Sequence, residues 1–399
     1  MAKKTRRVAL GSPPRLASGD AGAGPPIRCG GAESHPTVSK SNVELPEPSL
    51  EHLKRLTDDT GLYQHAKLII PDRQCGYCTD DNARAVIAMT KYYSQYADPQ
   101  ALRLLDTYLS FVLHSQNSDG TIRNWMNFDR TWRKNEPGND ALGRALWACG
   151  TVAAKPPAPA YLAIVSNFFD ISVQQVQKQT PKGMAYSILG MSDYLRQFPD
   201  AGDVRRQLEL ATEALAAQCQ QNNRPDWQWF EQTLTYDNAV LPHALFIAGL
   251  TLGNSKYRET AERTCEFLLA NTFNGEHFSF IGCTGWYKRG GTRAVFDQQP
   301  IEAGSTVLML RAAYDATQND RFLSLQRKAF DWFLGCNDLR RPLYDPATSG
   351  CRDGLCPDGV NPNQGAESTL SFLLSLLAVI ESHGLTDKTK AGLISNRKS

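Results

Sequence analysis

Apolar helical stretches that begin with a carboxylate beside Gly, Asn or Gln recur along this chain and constrain its fold most strongly. Four of them are TDDNARA from Thr79, GNDALGRALWA from Gly138, TYDNAVLPHAL from Thr235 and NQGAESTLSFLL from Asn363. A fifth, DQQPIEAGSTVLML, begins at Asp297, and PKGMAYSILG from Pro181 is a variant without an acid. If these are equivalent helices of one barrel, their N-termini converge at one end and form an acidic pocket there.

Each of these apolar stretches alternates with an amphipathic helix that has a charged outer face. The amphipathic segments are ALRLLDTYLSFVLHSQ, YLAIVSNFFDISVQQVQ, VRRQLELATEALAAQC, YRETAERTCEFLLA and RFLSLQRKAFDWFLG. A buried inner helix followed by an amphipathic outer helix, repeated about six times, predicts an all-α (α/α)6 toroid. The irregular spacing of the repeats argues against a short-repeat solenoid.

The connections predict the polarity of the toroid. Links from an inner to an outer helix are short, whereas the return links include the long loops 117–138, 222–236, 273–300 and 336–363. Long loops in a compact domain are usually functional, and these carry many aromatic residues. Alternating residues in TIRNWMNFDRTW and DWQWFEQTLTYD predict small β-hairpins at the same end.

Composition sets the domain limits. The chain has 399 residues, of which 41% are hydrophobic, and a net charge of +2 that argues against nucleic acid as the main partner. We expect a disordered basic tail over 1–45, the toroid over 46–387 and a disordered tail over 388–399. A transit peptide is the alternative for the N-terminal tail. No apolar run is long enough to cross a membrane, and we expect a cytoplasmic protein.

The ten cysteines predict free thiols rather than a cofactor site. Cys75 with Cys78, and Cys351 with Cys356, allow a zinc site or a disulfide to be drawn. The second spacing is loose and the pairs lie far apart in sequence, so we expect reduced thiols. The sequence predicts no metal and no cofactor.

Six acidic residues are candidates for general acid, base or nucleophile, because carboxylates flanking a glycosidic bond supply those functions. These catalytic candidates are Asp80, Asp81, Glu231, Asp237, Glu302 and Glu367. Helix capping is the competing interpretation for Asp237 and for Asp140. Aromatic neighbours in WQWFEQ predict a raised pKa for Glu231, which would make it the proton donor, with Asp81 or Asp237 as the base.

A second set of residues is predicted to bind the substrate through stacking and hydrogen bonds. This set is Arg84, Trp125, Asp140, Arg144, Trp229, His243, Trp286, Arg293, Gln298 and Gln364. The arginines have a structural alternative as ion-pair partners of the acids, and His243 as a core residue. KRGGTR at 288–293 could instead hold a phosphate through its backbone and two arginines.

Four longer motifs resemble those of a family of mostly uncharacterised bacterial proteins. The motifs are GYCTDDNARA, WYKRGGTRAVFDQQPIEAG, WFLGCNDLRRPLYDPATSGCRDGL and NQGAESTLSFLL. Such proteins are often labelled glycosyltransferase or glycosidase-like, and they are fused to or encoded beside glycosyltransferases and mannoside phosphorylases. The resemblance implies a six-hairpin glycosidase-like toroid and such an enzyme as a possible partner. Cys75 and Leu142 depart from the pattern, because a histidine or similar residue is expected there.

The leading functional hypothesis is a glycoside hydrolase that acts on an oligosaccharide, with a glycoside phosphorylase as a close variant. A non-catalytic sugar-binding module that assists a glycosyltransferase is an alternative from another class. A terpene cyclase is a third, because SQNSDGT at 115–121 and the TDDNA motif are similar to cyclase motifs. The sequence does not fix linkage, anomer or stereochemical outcome.

Overall fold

The computed structural model of the protein describes residues 44–134 and 140–395, with side chains as far as residue 384. These residues belong to one compact unit, Ser41–Ser399. The basic tail predicted for 1–45 lies almost wholly outside the described residues, and so do residues 396–399. The last described helix continues to Ser395, beyond residue 387, where the sequence interpretation ended the toroid. The domain limits therefore stay predictions.

Six inner helices form a closed ring. They are α2 (Thr79–Tyr96), α4 (Ala141–Ala154), α6 (Pro181–Gln197), α8 (Val240–Leu252), α10 (Pro300–Thr317) and α12 (Ala366–Ser395). Each packs on the next in chain order, and α12 packs on α2. Their sides are buried almost throughout, as the uniformly apolar sequences require. This ring confirms the predicted (α/α)6 toroid.

The amphipathic helices surround the ring. They are α3 (Pro99–Ser115), α5 (Pro159–Ser172), α7 (Gly202–Asn222), α9 (Ser255–Thr272) and α11 (Arg321–Asp331), each packed on the inner helix that precedes it. A short helix, α1 (Glu51–Arg55), packs on α12. Five of the inner helices lead into their outer helices through short links, so the inner helices run parallel and begin at one end of the ring.

Glycines bring α4 and α6 unusually close together. A Cβ atom on Gly143 would lie 2.2 Å from the Gly183 carbonyl oxygen, and one on Gly150 would lie 2.1 Å from that of Gly190. Both distances are below van der Waals contact, so only glycine fits at these positions. The glycine seam, Gly143, Gly150, Gly183 and Gly190, therefore fixes how far apart these two inner helices stand.

Five antiparallel two-stranded ribbons lie in the loops that precede inner helices. They are β1 (Ala66–Lys67) with β2 (Ile70–Pro71), β3 (Tyr77–Cys78) with β4 (Trp125–Met126), β5 (Thr233–Leu234) with β6 (Tyr287–Lys288), β7 (Tyr344–Asp345) with β8 (Gly350–Cys351), and β9 (Gly354–Cys356) with β10 (Gly359–Asn361). The strands predicted in TIRNWMNFDRTW and DWQWFEQTLTYD exist. Around β4 the chain also forms a small local hairpin, in which Met126 pairs with Trp132. The ribbons of β4 and β5 themselves join strands from two separate loops.

Among the described residues, no helix has the length and apolarity to span a bilayer. The nine cysteines in this part of the chain are free thiols, so the disulfide that the sequence allowed is absent there.

Candidate active site

A cavity of about 230 Å³ opens at the end of the ring where α2, α4 and α12 begin. We call it the mouth cavity. It is lined by Gln64, Cys78, Asp80, Asp81, Arg84, Trp125, Asp140, Arg144, Tyr236 and Glu367. Three of the six predicted catalytic acids and four of the ten predicted binding residues therefore share one cavity.

Arg84 forms one half of the cavity floor. It is 6% exposed, and its Nη1 and Nη2 atoms lie 2.5 Å from Asp81 Oδ1 and 2.6 Å from Glu367 Oε2. Asp81 is also buried, and its Oδ2 accepts a hydrogen bond from the Cys78 thiol at 3.0 Å. Burial raises the pKa of Asp81, and the Arg84 guanidinium opposes that effect. Both oxygens of Asp81 are thus occupied within the protein.

The backbone around Cys78 explains how α2 begins here. Cys78 is the N-cap residue of α2, and its sulfur accepts the Asp81 N–H at 3.4 Å. A thiol therefore does what Ser or Asp usually does at this position. Because Cys78 caps the helix, the carboxylates of Asp80 and Asp81 are not needed for that purpose.

Arg144 forms the other half of the floor. Its Nη2 atom donates to Tyr186 Oη and lies 3.1 Å from Asp237 Oδ2, and its Nε atom lies 3.6 Å from Asp80 Oδ1. The guanidinium also lies over the Tyr186 ring, 3.9 Å from the centroid. The structural alternative for both arginines, as ion-pair partners of the acids, is therefore observed.

Asp237 lies beneath the mouth cavity rather than in its lining. It is 2% exposed, and its Oδ2 accepts hydrogen bonds from Tyr186 and Arg144. Its φ of +47° is in the left-handed region, which Asp tolerates better than most residues. It does not cap α8, which begins at Val240 with Ala239 as its N-cap.

Glu302 holds the backbone that leads into α8. Its carboxylate accepts the N–H of Asp237 and, at 3.3 Å, the N–H of Asn238, whose side-chain amide donates at 3.0 Å. Burial and the nearby Asp237 carboxylate raise the pKa of Glu302 to about 8. Glu302 is therefore a positioning residue at the start of the fourth inner helix.

Asp140 projects into the mouth cavity. It precedes α4 but makes no side-chain capping bond, so the capping alternative is wrong here. Its Oδ1 accepts a hydrogen bond from Thr180 at 2.6 Å, and its Oδ2 accepts one from Tyr236. Burial is the main cause that raises the pKa of Asp140, and Asp80 adds to it. A carboxyl with a raised pKa in an open cavity can donate a proton.

Asp80 and Glu367 complete the acidic lining. Asp80 accepts a hydrogen bond from Asn124 at 2.7 Å through Oδ2, while Oδ1 is buried without a hydrogen bond. The Glu367 side chain is 40% exposed, and Arg84 binds its Oε2. Glu367 is therefore the most accessible of the carboxylates that line the cavity.

Glu231 lies outside the lining of the mouth cavity. Its side chain is 32% exposed, and it forms an ion pair with Lys182 at 3.3 Å. The neighbouring Trp227, Trp229 and Phe230 are fully buried in the core. The predicted desolvation of Glu231 by aromatic side chains is therefore not observed.

Three predicted binding residues form hydrogen bonds within the long loops and do not line the mouth cavity. Gln298 is fully buried and bonds Phe280, Trp332, Val295 and Asp338, while Arg293 binds the Ser279 and Phe280 carbonyl groups. Arg293, one of the two arginines in KRGGTR, therefore binds backbone carbonyl groups of a neighbouring loop segment. Gln364 is 2% exposed, accepts from Thr348 at 2.7 Å and donates to Asp345 at 3.3 Å.

The remaining predicted binding residues also lie away from the mouth cavity. Trp229 is fully buried, and Trp286 packs against the core with only part of its surface free. His243 lines a smaller cavity of about 30 Å³ below the two arginines. Burial lowers the pKa of His243 to about 3, so its ring is neutral. The core interpretation of His243 fits this position.

Tyr236, Gln64 and Lys182 were missed by sequence reasoning. Tyr236 immediately precedes Asp237 in TYDNAV, which attracted attention for its acid alone. Lys182 is the second residue of α6, the inner helix that begins without an acid, and its Nζ atom lies 4.9 Å from the centroid of the Tyr236 ring. A cation where the other helices carry an acid was the signal that could have identified it.

A metal site finds no support in this part of the chain. Residues 44–134 and 140–384 contain no group of three or more His, Cys, Asp or Glu side chains arranged to hold an ion. The four-thiolate site drawn from Cys75, Cys78, Cys351 and Cys356 is therefore not assembled.

No protein-family model matches the sequence, and a search of curated proteins found no match. Solved structures do match the fold. A sugar epimerase from a ruminal bacterium is 10% identical, with a TM-score of 0.65 over 84% of this chain and 96% of that one. Cellobiose 2-epimerase from Bacillus thermoamylovorans B4167 is also 10% identical, with a TM-score of 0.65 over 83% and 96%.

A GH76 alpha-mannanase from Bacteroides thetaiotaomicron is 11% identical, with a TM-score of 0.61 over 85% of this chain and 95% of that one. This chain has the (α/α)6 glycosidase-like fold. At these identities the likeness shows the fold alone, and the four motifs that suggested a particular bacterial family stay a resemblance.

Proposed function

We propose that this protein is a glycoside hydrolase that acts on an oligosaccharide, with Asp140 as the proton donor and Glu367 as the second carboxylate. The observation that carries the proposal is the mouth cavity, where these two acids, Asp80 and the aromatic residues Trp125 and Tyr236 line one space. Paired carboxylates beside aromatic surfaces suit cleavage of a glycosidic bond.

Asp140 suits the role of proton donor better than Glu231, the donor predicted from the sequence. Burial raises its pKa, and it lines the cavity, whereas Glu231 does not. The Tyr236 hydroxyl fixes one carboxyl oxygen and Thr180 fixes the other. This geometry orients the group before substrate binds.

Glu367 suits the base or nucleophile because its charge is stabilised while its side chain stays accessible. Arg84 binds Oε2 at 2.6 Å, and Glu367 lies in the first turn of α12, where the helix dipole favours the anion. Asp81 is less suitable because its side chain is only 4% exposed, whereas that of Glu367 is 40% exposed.

The lining favours hydrolysis over phosphorolysis. It contains four carboxylates and two arginines, and both arginines are already paired with acids. A phosphate ion in this cavity would therefore meet an excess of negative charge. The names of the structural neighbours, cellobiose 2-epimerase and alpha-mannanase, support glucose- and mannose-containing oligosaccharides as the first substrates to test.

The test is an incubation of the protein with a panel of mannosides and glucans, with and without phosphate. We expect released reducing sugar that does not need phosphate, and Asp140→Asn and Glu367→Gln should each lower the rate about 100-fold or more. Asp200→Asn is the matched control because Asp200 is exposed on a link at the opposite end of the ring.

The other outcomes separate the alternatives. Turnover that requires phosphate would indicate a phosphorylase, and an isomerised sugar without cleavage would indicate an epimerase or isomerase. Saturable binding without any product would support a sugar-binding module that assists a partner enzyme, such as a glycosyltransferase. Unchanged rates in both variants would reject the assignment of Asp140 and Glu367.

A further inference from the structure

A second cavity lies at the end of the ring opposite the mouth cavity. We call it the distal cavity. Its volume is about 200 Å³, and all six inner helices contribute to its lining. The lining residues are Lys91, Trp147, Lys155, Leu189, Asp193, Arg196, His243, Ile247, Leu308, Arg311, Ala312, Asp315, Ala378 and Glu381.

The charges of the distal cavity are only partly paired. Arg311 forms an ion pair with Asp315 at 3.0 Å, and Arg196 lies 3.5 Å from Asp193. Lys91 and Lys155 form no ion pair with any acid in the described part of the chain. Helix C-termini favour nearby cations, which explains why basic residues gather here but leaves these two ammonium groups unpaired.

Lys91 is the more enclosed of the two lysines. It lies on the inner face of α2 and is partly buried, while Lys155 follows the end of α4 and is exposed. Burial lowers the pKa of Lys91, and the nearby acids Asp193 and Glu381 offset that effect only in part. An anion bound beside Lys91 would offset that cost, so the position favours a negatively charged ligand.

One wall of the distal cavity is apolar and aromatic. Trp147 lines the distal cavity together with Leu189, Ile247 and Leu308, and its ring stacks on Tyr186 with the centroids 6.0 Å apart. Ligand sites combine such a wall with a few polar groups that fix orientation. The aromatic face of Trp147 suits a sugar ring, and the lysines suit a phosphate.

We propose that the distal cavity is a second ligand site, which binds a small phosphorylated sugar. The phosphate contacts Lys91 and Lys155, and the sugar packs against Trp147. This site is separate from the mouth cavity, and the proposal does not depend on hydrolysis there.

The experiment measures binding to the full chain by titration calorimetry and tryptophan fluorescence, at constant ionic strength. The probes are glucose 6-phosphate, inorganic phosphate and glucose. We expect glucose 6-phosphate to bind most tightly, phosphate more weakly and glucose not at all. Lys91→Met should weaken glucose 6-phosphate binding about tenfold, as loss of a charged hydrogen bond does.

Lys256→Met is the matched control because Lys256 is exposed on α9, outside the distal cavity. It should bind as the wild type does, and Asp140→Asn should too, because Asp140 lines the mouth cavity. Lys155→Met provides a second test at an exposed residue in case Lys91→Met fails to fold, which thermal denaturation will show.

Several results would overturn the proposal. They are no saturable binding of glucose 6-phosphate to the wild type, unchanged affinity in the folded lysine variants, or equal binding of glucose. Equal affinity for inorganic phosphate would reject the sugar contact with Trp147. None of these measurements needs turnover, so they separate this site from the proposed hydrolase activity.

Discussion

The two ends of the ring differ in the sign of their net charge although the same six helices build both. The mouth cavity is lined by four carboxylates and two arginines, while the distal cavity is lined by four basic side chains and three carboxylates. The inner helices run parallel, so their N-termini meet at the mouth and their C-termini at the distal end. Helix dipoles favour anions at the first and cations at the second. The common direction of the inner helices therefore accounts for much of the difference in charge between the two ends.

The two ends differ more in burial than in charge. At the mouth, the side chains of Arg84 and Arg144 are 8% and 4% exposed and are held by acids from distant segments. At the distal end, Arg311 and Arg196 are 19% and 63% exposed and pair within their own helices. Among the described residues of the two cavities, those at the mouth therefore form the more deeply buried charge network, and it links helices that are distant in sequence.

The largest expected change in stability comes from replacing a buried arginine at the mouth. Arg144→Met leaves Asp237 buried without its cation, so it should lower the free energy of unfolding by about 3–5 kcal/mol. Arg311→Met at the distal end should cost less than about 1 kcal/mol. Urea denaturation of both variants measures the difference. Similar losses at the two ends would contradict the contrast in burial.

Substitutions in the glycine seam test whether the close packing of α4 on α6 matters equally near the mouth and near the distal end. Gly143→Ala near the mouth and Gly150→Ala near the distal end should each lower stability by about 1–3 kcal/mol, because the new methyl group meets backbone. Gly202→Ala is the control, since no atom lies within 4 Å of its added Cβ. Thermal denaturation gives the comparison, and a loss at only one end would show that the seam is not continuous.

The pH dependence of the free energy of unfolding tests whether Glu302, which lies near the mouth, is protonated in the folded protein. Burial raises the pKa of Glu302 from its ordinary value of 4.5 to about 8 in the folded protein, so the folded state holds the proton more tightly than the unfolded state does. Its contribution is therefore fully present below about pH 4.5 and is lost as pH rises toward 8.

The stability difference between wild type and Glu302→Gln should accordingly fall by on the order of 1 kcal/mol per pH unit between about pH 5 and 8. Urea titrations at several pH values measure it. A difference that stays constant, or grows with pH, would show that Glu302 is ionised in the folded protein.

The smallest expected effect concerns the cap of α2. Cys78→Ala removes the sulfur that accepts the Asp81 N–H and donates to its carboxylate, which should cost about 1 kcal/mol. Cys78→Ser should recover part of that loss because a hydroxyl can make both bonds. Chemical denaturation measures the stability of the two variants. Equal stability of Cys78→Ala and Cys78→Ser would mean that the hydrogen bonds of the thiol do not contribute.

The sequence was sufficient for the fold because helix period and connection length are local properties. The apolar stretches from Thr79 and Asp297 became α2 and α10, and the long loops lie where the link lengths placed them. Strand pairing was harder. Trp125–Met126 pairs with Tyr77–Cys78, and a register between two separate loops leaves no local pattern to follow.

The candidate site was only partly predictable. Helix-opening acids such as Asp80 and Glu367 reached the mouth cavity because every inner helix begins at that end. Loop residues such as Glu231, Trp229 and Gln298 do not line the mouth cavity. The path of a long loop depends on the hydrogen-bond partners that its backbone finds in the folded protein, and these cannot be read from the local sequence. Asp140 was expected to bind substrate, and its burial in the structure is the reason why we propose it as the proton donor.

The sequence by itself determined a ring of parallel inner helices and the end at which their acids gather. Only the tertiary structure decided which acids are bound by arginine and which stay accessible. Arg84 meets Glu367 across 283 residues, and Arg144 meets Asp237 across 93. Such pairings depend on distances that arise when the ring closes, and those distances, together with burial, set the protonation state and reach of each carboxylate.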